Sequence, residues 1–142
     1  MSVNNYDEII PNLFLGGYKA LEDYNKFDLI INCTKDIEFP DSDQTNCRYV
    51  RLPVNDESSE ANKLKDLLDN NNILEIINKY VIEKKNVLVH CKMGQQRSAI
   101  VIVCYLMRYF YLSSEEAIKY VKVKRPIAFF GQVNFIDILR FY

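Results

Sequence analysis

A chain of 142 residues, 49% hydrophobic and 13% aromatic, carries enough apolar material for one core, and a single domain over residues 1–142 is expected. A formal net charge of -1 gives no polycationic drive toward nucleic acid or a membrane surface. No apolar run is long enough to cross a bilayer, and the opening Met1–Asn5 does not read as a signal peptide.

In chain order, strands are predicted near Glu8–Pro11, Leu13–Gly16, Leu29–Asn32 and Arg48–Leu52. A helical region follows from about Ser59 to Glu83. Its second half repeats Ile73, Ile76, Ile77, Tyr80 and Val81 at helical spacing. Asp69-Asn70-Asn71-Asn72 is a poor helix interior and predicts a break there. Val87–His90 is a fifth strand, short and β-branched. Arg97–Phe110 reads as a buried helix, and Ser113-Ser114-Glu115-Glu116 as the capping box of another. A last helix is predicted within Gln132–Phe141. Strands alternating with helices imply an α/β fold: a three-layer sandwich whose central, mostly parallel sheet of about five strands is flanked by helices.

The stretch from His90 to Ser98 is the most informative part of the chain. It places Cys91 on a strand-to-helix turn, with Arg97 six positions later at the helix start. Successive amides in such a turn form a nest for an anion, and the helix N-terminus adds unpaired N–H donors and a partial positive charge. Lys92, Met93, Gly94, Gln95, Gln96 and Arg97 are the expected phosphate-binding residues. Gly94 permits the sharp turn, and the planar fork of Arg97 can grip two phosphate oxygens at once. The same positive surroundings favour a Cys91 thiolate able to attack phosphorus.

Cys-x5-Arg with a flanking His and Ser resembles the cysteine-dependent protein tyrosine phosphatases, and the short chain looks like a small, atypical dual-specificity phosphatase. The likeness extends to Ile9–Gly17, Leu29–Thr34, Leu52–Asp56, Tyr105–Met107 and Lys124–Pro126, in the family's order. It implies a protein phosphatase that hydrolyses phosphotyrosine and phosphoserine or phosphothreonine through a phosphocysteine. Cys91 would be the nucleophile and Asp56 the general acid and base, with Glu57 as the neighbouring competitor and Asp41 and Asp43 as remoter ones. Ser98 would ease departure of the cysteine sulfur, and Arg125 would lie near the rim of the site. The chain departs from the pattern at Met93, where Ala is common, and at Gln96, where Ser is common. Phe130-Gly131 and Val133-Asn134 stand in for the family's Pro-Asn and Gly-Phe pairs.

Each of these residues also has a plainer reading. Cys91 could be a small buried apolar group, while Asp56 and Ser98 could each cap the helix that follows. His90, the only histidine, follows the strand alternation and faces away from the thiolate's target. A supporting role through hydrogen bonds to the loop is therefore expected for it. One histidine also disfavours a histidine-rich metal site, and neither a metal nor an organic cofactor is expected. Cys33, Cys47, Cys91 and Cys104 form no Cys-x-x-Cys pair, which suits free thiols in a reducing, cytoplasmic compartment. Cys33, ending a neighbouring strand, is a candidate partner for Cys91 under oxidation. The expected partner is a phosphoprotein substrate, with nucleic acid not the first choice, no membrane, and the chain a monomer or weak homodimer. The alternatives are an RNA 5′-phosphatase or phosphoinositide phosphatase, a non-catalytic phosphopeptide-binding module, and a rhodanese-like sulfurtransferase. The absence of a long insertion beside the loop, in a chain that begins almost at its first strand, predicts a shallow pocket mouth.

Overall fold

Alternating apolar residues in the short strands divide the interior into two cores. In the computed structural model, which describes residues 3–41 and 46–142, Leu13, Leu15, Leu29, Ile31, Val87 and Val89 face one side of the sheet. Ile30 and Leu88, with the half-buried Phe14, face the other. Period-two alternation with apolar residues at both parities requires cover on both faces.

The strands are β1 (Tyr6–Ile10), β2 (Leu13–Gly16), β3 (Leu29–Asn32), β4 (Arg48–Arg51) and β5 (Val87–His90). They form one sheet in the order β1-β2-β5-β3-β4. Only the β1–β2 hairpin is antiparallel. It turns at Asn12, whose φ of 75° is a left-handed conformation that asparagine tolerates well. The expected five-stranded, mostly parallel sheet is thus present, with β1 beginning two residues earlier than its sequence pattern suggested.

Four helices, α1 (Ala61–Asn70), α2 (Ile73–Ile82), α3 (Arg97–Phe110) and α4 (Ser114–Lys124), contribute to the larger core. The asparagine-rich break falls between α1 and α2, where Asn72 has a φ of 52°. Ser113 caps α4: its Oγ accepts from Glu116 N–H at 3.1 Å, and Glu116 Oε1 accepts from Ser113 N–H at 2.9 Å. Every residue of α3 from Ser98 to Leu106 is buried, so this helix runs through the core rather than along its surface. A 3₁₀ turn over Ile136–Phe141 lies in the window predicted for the last helix.

The smaller core is covered by a 3₁₀ segment, Tyr18–Lys26, that the sequence reading did not anticipate. Tyr6, Phe14 and Phe27 meet there edge to face, with ring centroids 5.3 to 5.9 Å apart. β5 lies at the middle of the sheet and delivers Cys91 at its carboxyl end, where open α/β sheets bind ligands.

Candidate active site

The loop from Cys91 to Gln95 has its carbonyl oxygens tied to donors outside it. His90 Nδ1–H donates to Cys91 O at 3.1 Å and Tyr18 N–H to Lys92 O at 2.9 Å. Arg125 Nη2 donates to Met93 O and its Nε to Gly94 O, both at 3.0 Å, while Phe129 N–H donates to Gln95 O at 2.8 Å. In a trans peptide the N–H points opposite to the C=O. Five outward carbonyls in a row therefore leave the amides of residues 92–96 turned inward, which is an anion nest. Gly94 has a φ of +68°, and a Cβ there would lie 2.6 Å from Gly16 C. Gly17 is equally constrained, because a Cβ would sit 2.8 Å from Lys92 O. The loop is packed against the β2 end with no room for a side chain at either position.

Cys91 lies at the bottom of the nest, only 3% exposed, with its Sγ 3.1 Å from Ser98 Oγ. Arg97 opens α3 and donates from Nη1 to Val54 O at 3.3 Å, while its buried Nε has no partner. A guanidinium with a free buried N–H beside an amide nest is suited to an oxyanion. His90 is fully buried, and that burial depresses its pKa to about 4, assisted by the charges of Arg51 and Arg97 against the opposing bond to Cys91 O. It is therefore a neutral imidazole that holds the loop through Nδ1–H.

Above the nest lies a groove of about 520 Å³ lined by Tyr18, Lys35, Asp36, Ile37, Asn55, Asp56, Lys92 and Arg97. The structure thus brings Asp56 and Arg97 to one opening. Asp56 is exposed, and its Oδ1 accepts from Asn134 Nδ2 at 2.8 Å. Glu57 instead accepts from Ser59 Oγ at 3.5 Å and does not line the groove. Asp41 is exposed and also outside it, and Asp43 lies outside the described residues. Lys92 is exposed and lines the groove, Met93 is exposed but does not line it, and Gln95 is half-buried. Tyr18, Lys35, Asp36 and Ile37 were not singled out from the sequence. Nothing in their local pattern marks them, since they reach the groove only through sheet order.

One expectation changes. Arg125 is not a rim residue: it is 2% exposed and spends its guanidinium on Met93 O, Gly94 O, Asn4 O (2.9 Å) and Asp7 Oδ2 (2.7 Å). It follows α4 directly, so the packing of that helix draws it under the loop rather than over it. Gln96 has its amide in the nest while its side chain is turned into the protein, 7% exposed and bonded to Gln132 O and Asn134 N–H. Cys33 lies beside Cys91. Its amide donates to His90 O at 2.8 Å, and its thiol is kept protonated mainly by complete burial and secondly by the adjacent Cys91, against the pull of Arg97.

Residues 13–142 match the dual specificity phosphatase catalytic domain family. The chain is 33% identical over 123 residues to mouse dual specificity protein phosphatase 8, which covers 83% of this chain and 18% of that protein. It is 38% identical over 120 residues to the tyrosine-protein phosphatase MSG5 of Saccharomyces cerevisiae, covering 80% and 23%. The chain therefore spans about a fifth of the length of these curated relatives. The crystal structure of human DUSP28 superposes with a TM-score of 0.84 at 28% identity, covering 99% of this chain and 94% of that one. A family match over nearly the whole chain, a shared fold and a Cys-x5-Arg nest agree, and the chain belongs to the dual specificity phosphatase family.

Proposed function

We propose that this chain is a cysteine-dependent protein phosphatase acting on phosphotyrosine and on phosphoserine or phosphothreonine, with residues 1–142 as its catalytic domain. The observation that carries this reading is the Cys91 sulfur beneath an inward-turned amide nest, with Ser98 Oγ 3.1 Å away and a buried, unpartnered Arg97 Nε beside it. In the first step the Cys91 thiolate attacks phosphorus and the phosphate–oxygen bond of the substrate breaks. Asp56 gives its proton to the departing oxygen. The equatorial oxygens lie against the amides of Lys92–Gln96 and the Arg97 guanidinium. In the second step the Asp56 carboxylate takes a proton from water, the hydroxide oxygen bonds phosphorus, and the sulfur–phosphorus bond breaks. The sulfur leaves as a thiolate that accepts a hydrogen bond from Ser98. Catalysis by this route rests on positioning and on preformed electrostatic stabilisation of a charged transition state. A thiolate nucleophile, with four free cysteines among the described residues, supports a reducing, cytoplasmic compartment for the working enzyme.

The charge lining the groove favours a phosphoprotein over the alternatives. Lys35, Lys92 and Arg97 are balanced by Asp36 and Asp56, one positive charge in excess. A polyanionic RNA end or an inositol headgroup calls for a stronger positive field than that. The test is a panel of phosphopeptides, 5′-phosphorylated RNA and phosphoinositides, with Cys91→Ser as the control. Turnover of both phosphotyrosine and phosphoserine peptides, lost in Cys91→Ser while vanadate still binds, is the expected result. Turnover confined to RNA or lipid overturns the substrate, and substantial hydrolysis by Cys91→Ser overturns the covalent route.

A further inference from the structure

Two positions where the sequence leaves the family pattern, Gln96 and Asn134, meet in the structure. Gln96 immediately precedes Arg97, yet its side chain turns from the nest into the protein, where both ends of its amide are used. Its Nε2 donates to Gln132 O at 2.7 Å, and its Oε1 accepts from Asn134 N–H at 2.9 Å. The Asn134 side chain in turn donates from Nδ2 to Asp56 Oδ1 at 2.8 Å. Its own Oδ1 accepts from Gln132 Nε2 at 2.6 Å, which fixes which end of the amide faces Asp56. A continuous set of hydrogen bonds therefore runs from the phosphate loop to the carboxyl group opposite it.

We propose that Gln96 and Asn134 are positioning residues that set the Asp56 carboxyl in register with the phosphate nest, an inference that rests on Asp56 acting as the general acid. An amide N–H can only donate, so Oδ1 must be the acceptor oxygen whether Asp56 is protonated or ionised. The proton is thereby confined to Oδ2, leaving that oxygen to serve the leaving group in the first step and water in the second. Asp56 is otherwise an exposed side chain on a polar loop, and a freely rotating carboxyl would spend much of its time misdirected. Because Gln96 belongs to the loop that holds phosphate, the relay measures the acid's position from the phosphate itself. The substituents at 96 and 134 are thus two ends of one device.

The test compares phenyl phosphate, whose leaving group needs a proton, with a dinitrophenyl phosphate, whose leaving group does not. Asn134→Ala and Gln96→Ala should each lower kcat for phenyl phosphate by about tenfold, with a several-fold smaller loss for the acidic leaving group. In an Asp56→Asn background neither substitution should lower kcat for phenyl phosphate further, since the proton it positions is gone. Vanadate affinity, measured on the same samples, confirms that the nest is folded. An equal loss across leaving groups, or a loss that adds in full to that of Asp56→Asn, overturns the relay. If Asp56→Asn itself shows no leaving-group dependence, the fault lies in the assignment of the acid and not in the relay alone.

Discussion

Cys91–Gln95 give each of their carbonyl oxygens to a donor outside the loop, whereas Asn55–Glu57, the segment that brings Asp56 to the groove, are held by far less. Glu57 N–H donates to Asn55 O at 2.9 Å, and Asn55 N–H donates to Glu60 Oε1 at 3.0 Å. That bond to Asn55 is the main reason the Glu60 carboxyl is held below its usual pKa, with Lys63 and Lys35 adding to it. The first segment must present its amides before the substrate arrives, because reorganising dipoles during reaction would cost transition-state stabilisation. The second must admit a phosphorylated side chain and release it. On the proposed mechanism, a firmly held anion nest and a lightly tethered acid are different solutions to two halves of one reaction. The bonds between them, through Asn134, are few enough to be tested singly.

The comparison can be broken most completely at the nucleophile. Mild peroxide should abolish activity by oxidising Cys91 to the sulfenic acid, and thiols should restore it if oxidation stops there. In the parallel β3–β5 pair Asn32 lies opposite His90, so Cys33 lies beside Cys91. Attack of the Cys33 sulfur on the sulfenic acid would release water and form a disulfide, slowed by the burial that keeps the Cys33 thiol protonated. Mass mapping should find a Cys91–Cys33 peptide. Inactivation with no such bridge, or one involving Cys104 in α3, removes Cys33 from the account.

Removing the brace beneath the nest should have the next largest effect. Arg125→Ala strands Met93 O, Gly94 O and the Asp7 carboxylate, and breaking a buried ion pair of this kind costs about 3–5 kcal/mol of stability. Arg125→Lys should rescue little, since one ammonium cannot reproduce a planar fork serving several acceptors. Denaturant unfolding and vanadate affinity should fall together. A destabilised variant that still binds vanadate as tightly as the parent would show that the nest shapes itself without Arg125.

On the opposite wall, Asp56→Asn should lower kcat about a hundredfold for substrates with poor leaving groups, with little change in melting temperature. The loss should shrink as the leaving group becomes more acidic. Glu57→Gln showing that dependence in its place would reassign the acid. The smallest effect expected is on stability against pH. His90 has a folded pKa of about 4, below its unfolded value, so the unfolded chain takes up the proton first as pH falls. The stability this group contributes is complete above pH 6.5 and declines toward pH 4, by about 2 kcal/mol between pH 7 and 5. Comparing unfolding curves of the parent and His90→Asn across that range should show this component missing from the variant.

Much of the scaffold was legible locally. The strand Val87–His90, the capping box at Ser113–Glu116 and the asparagine break before Ile73 each depend on neighbours within a few positions, and each was visible in the sequence. The Cys91-to-Arg97 spacing likewise placed a thiol and a guanidinium on one strand-to-helix turn without reference to the rest of the chain. The Tyr18–Lys26 segment was missed because a 3₁₀ stretch has no strong periodic signature of its own; it exists because Phe14, Ile30 and Leu88 need cover. Arg125 was misplaced for a related reason. The resemblance put it near the rim, whereas β1, which supplies Asp7, and the loop, which supplies two carbonyls, draw it inward. The sequence by itself determined the Cys91-to-Arg97 strand-to-helix turn and the order of the strands and α-helices, because those are set by short-range spacing and apolar period. Only the tertiary structure decided which donors hold the nest open and which amide meets Asp56, because all of those bonds except the one from His90 to its neighbour join residues 31 to 78 positions apart, beyond the reach of any local pattern.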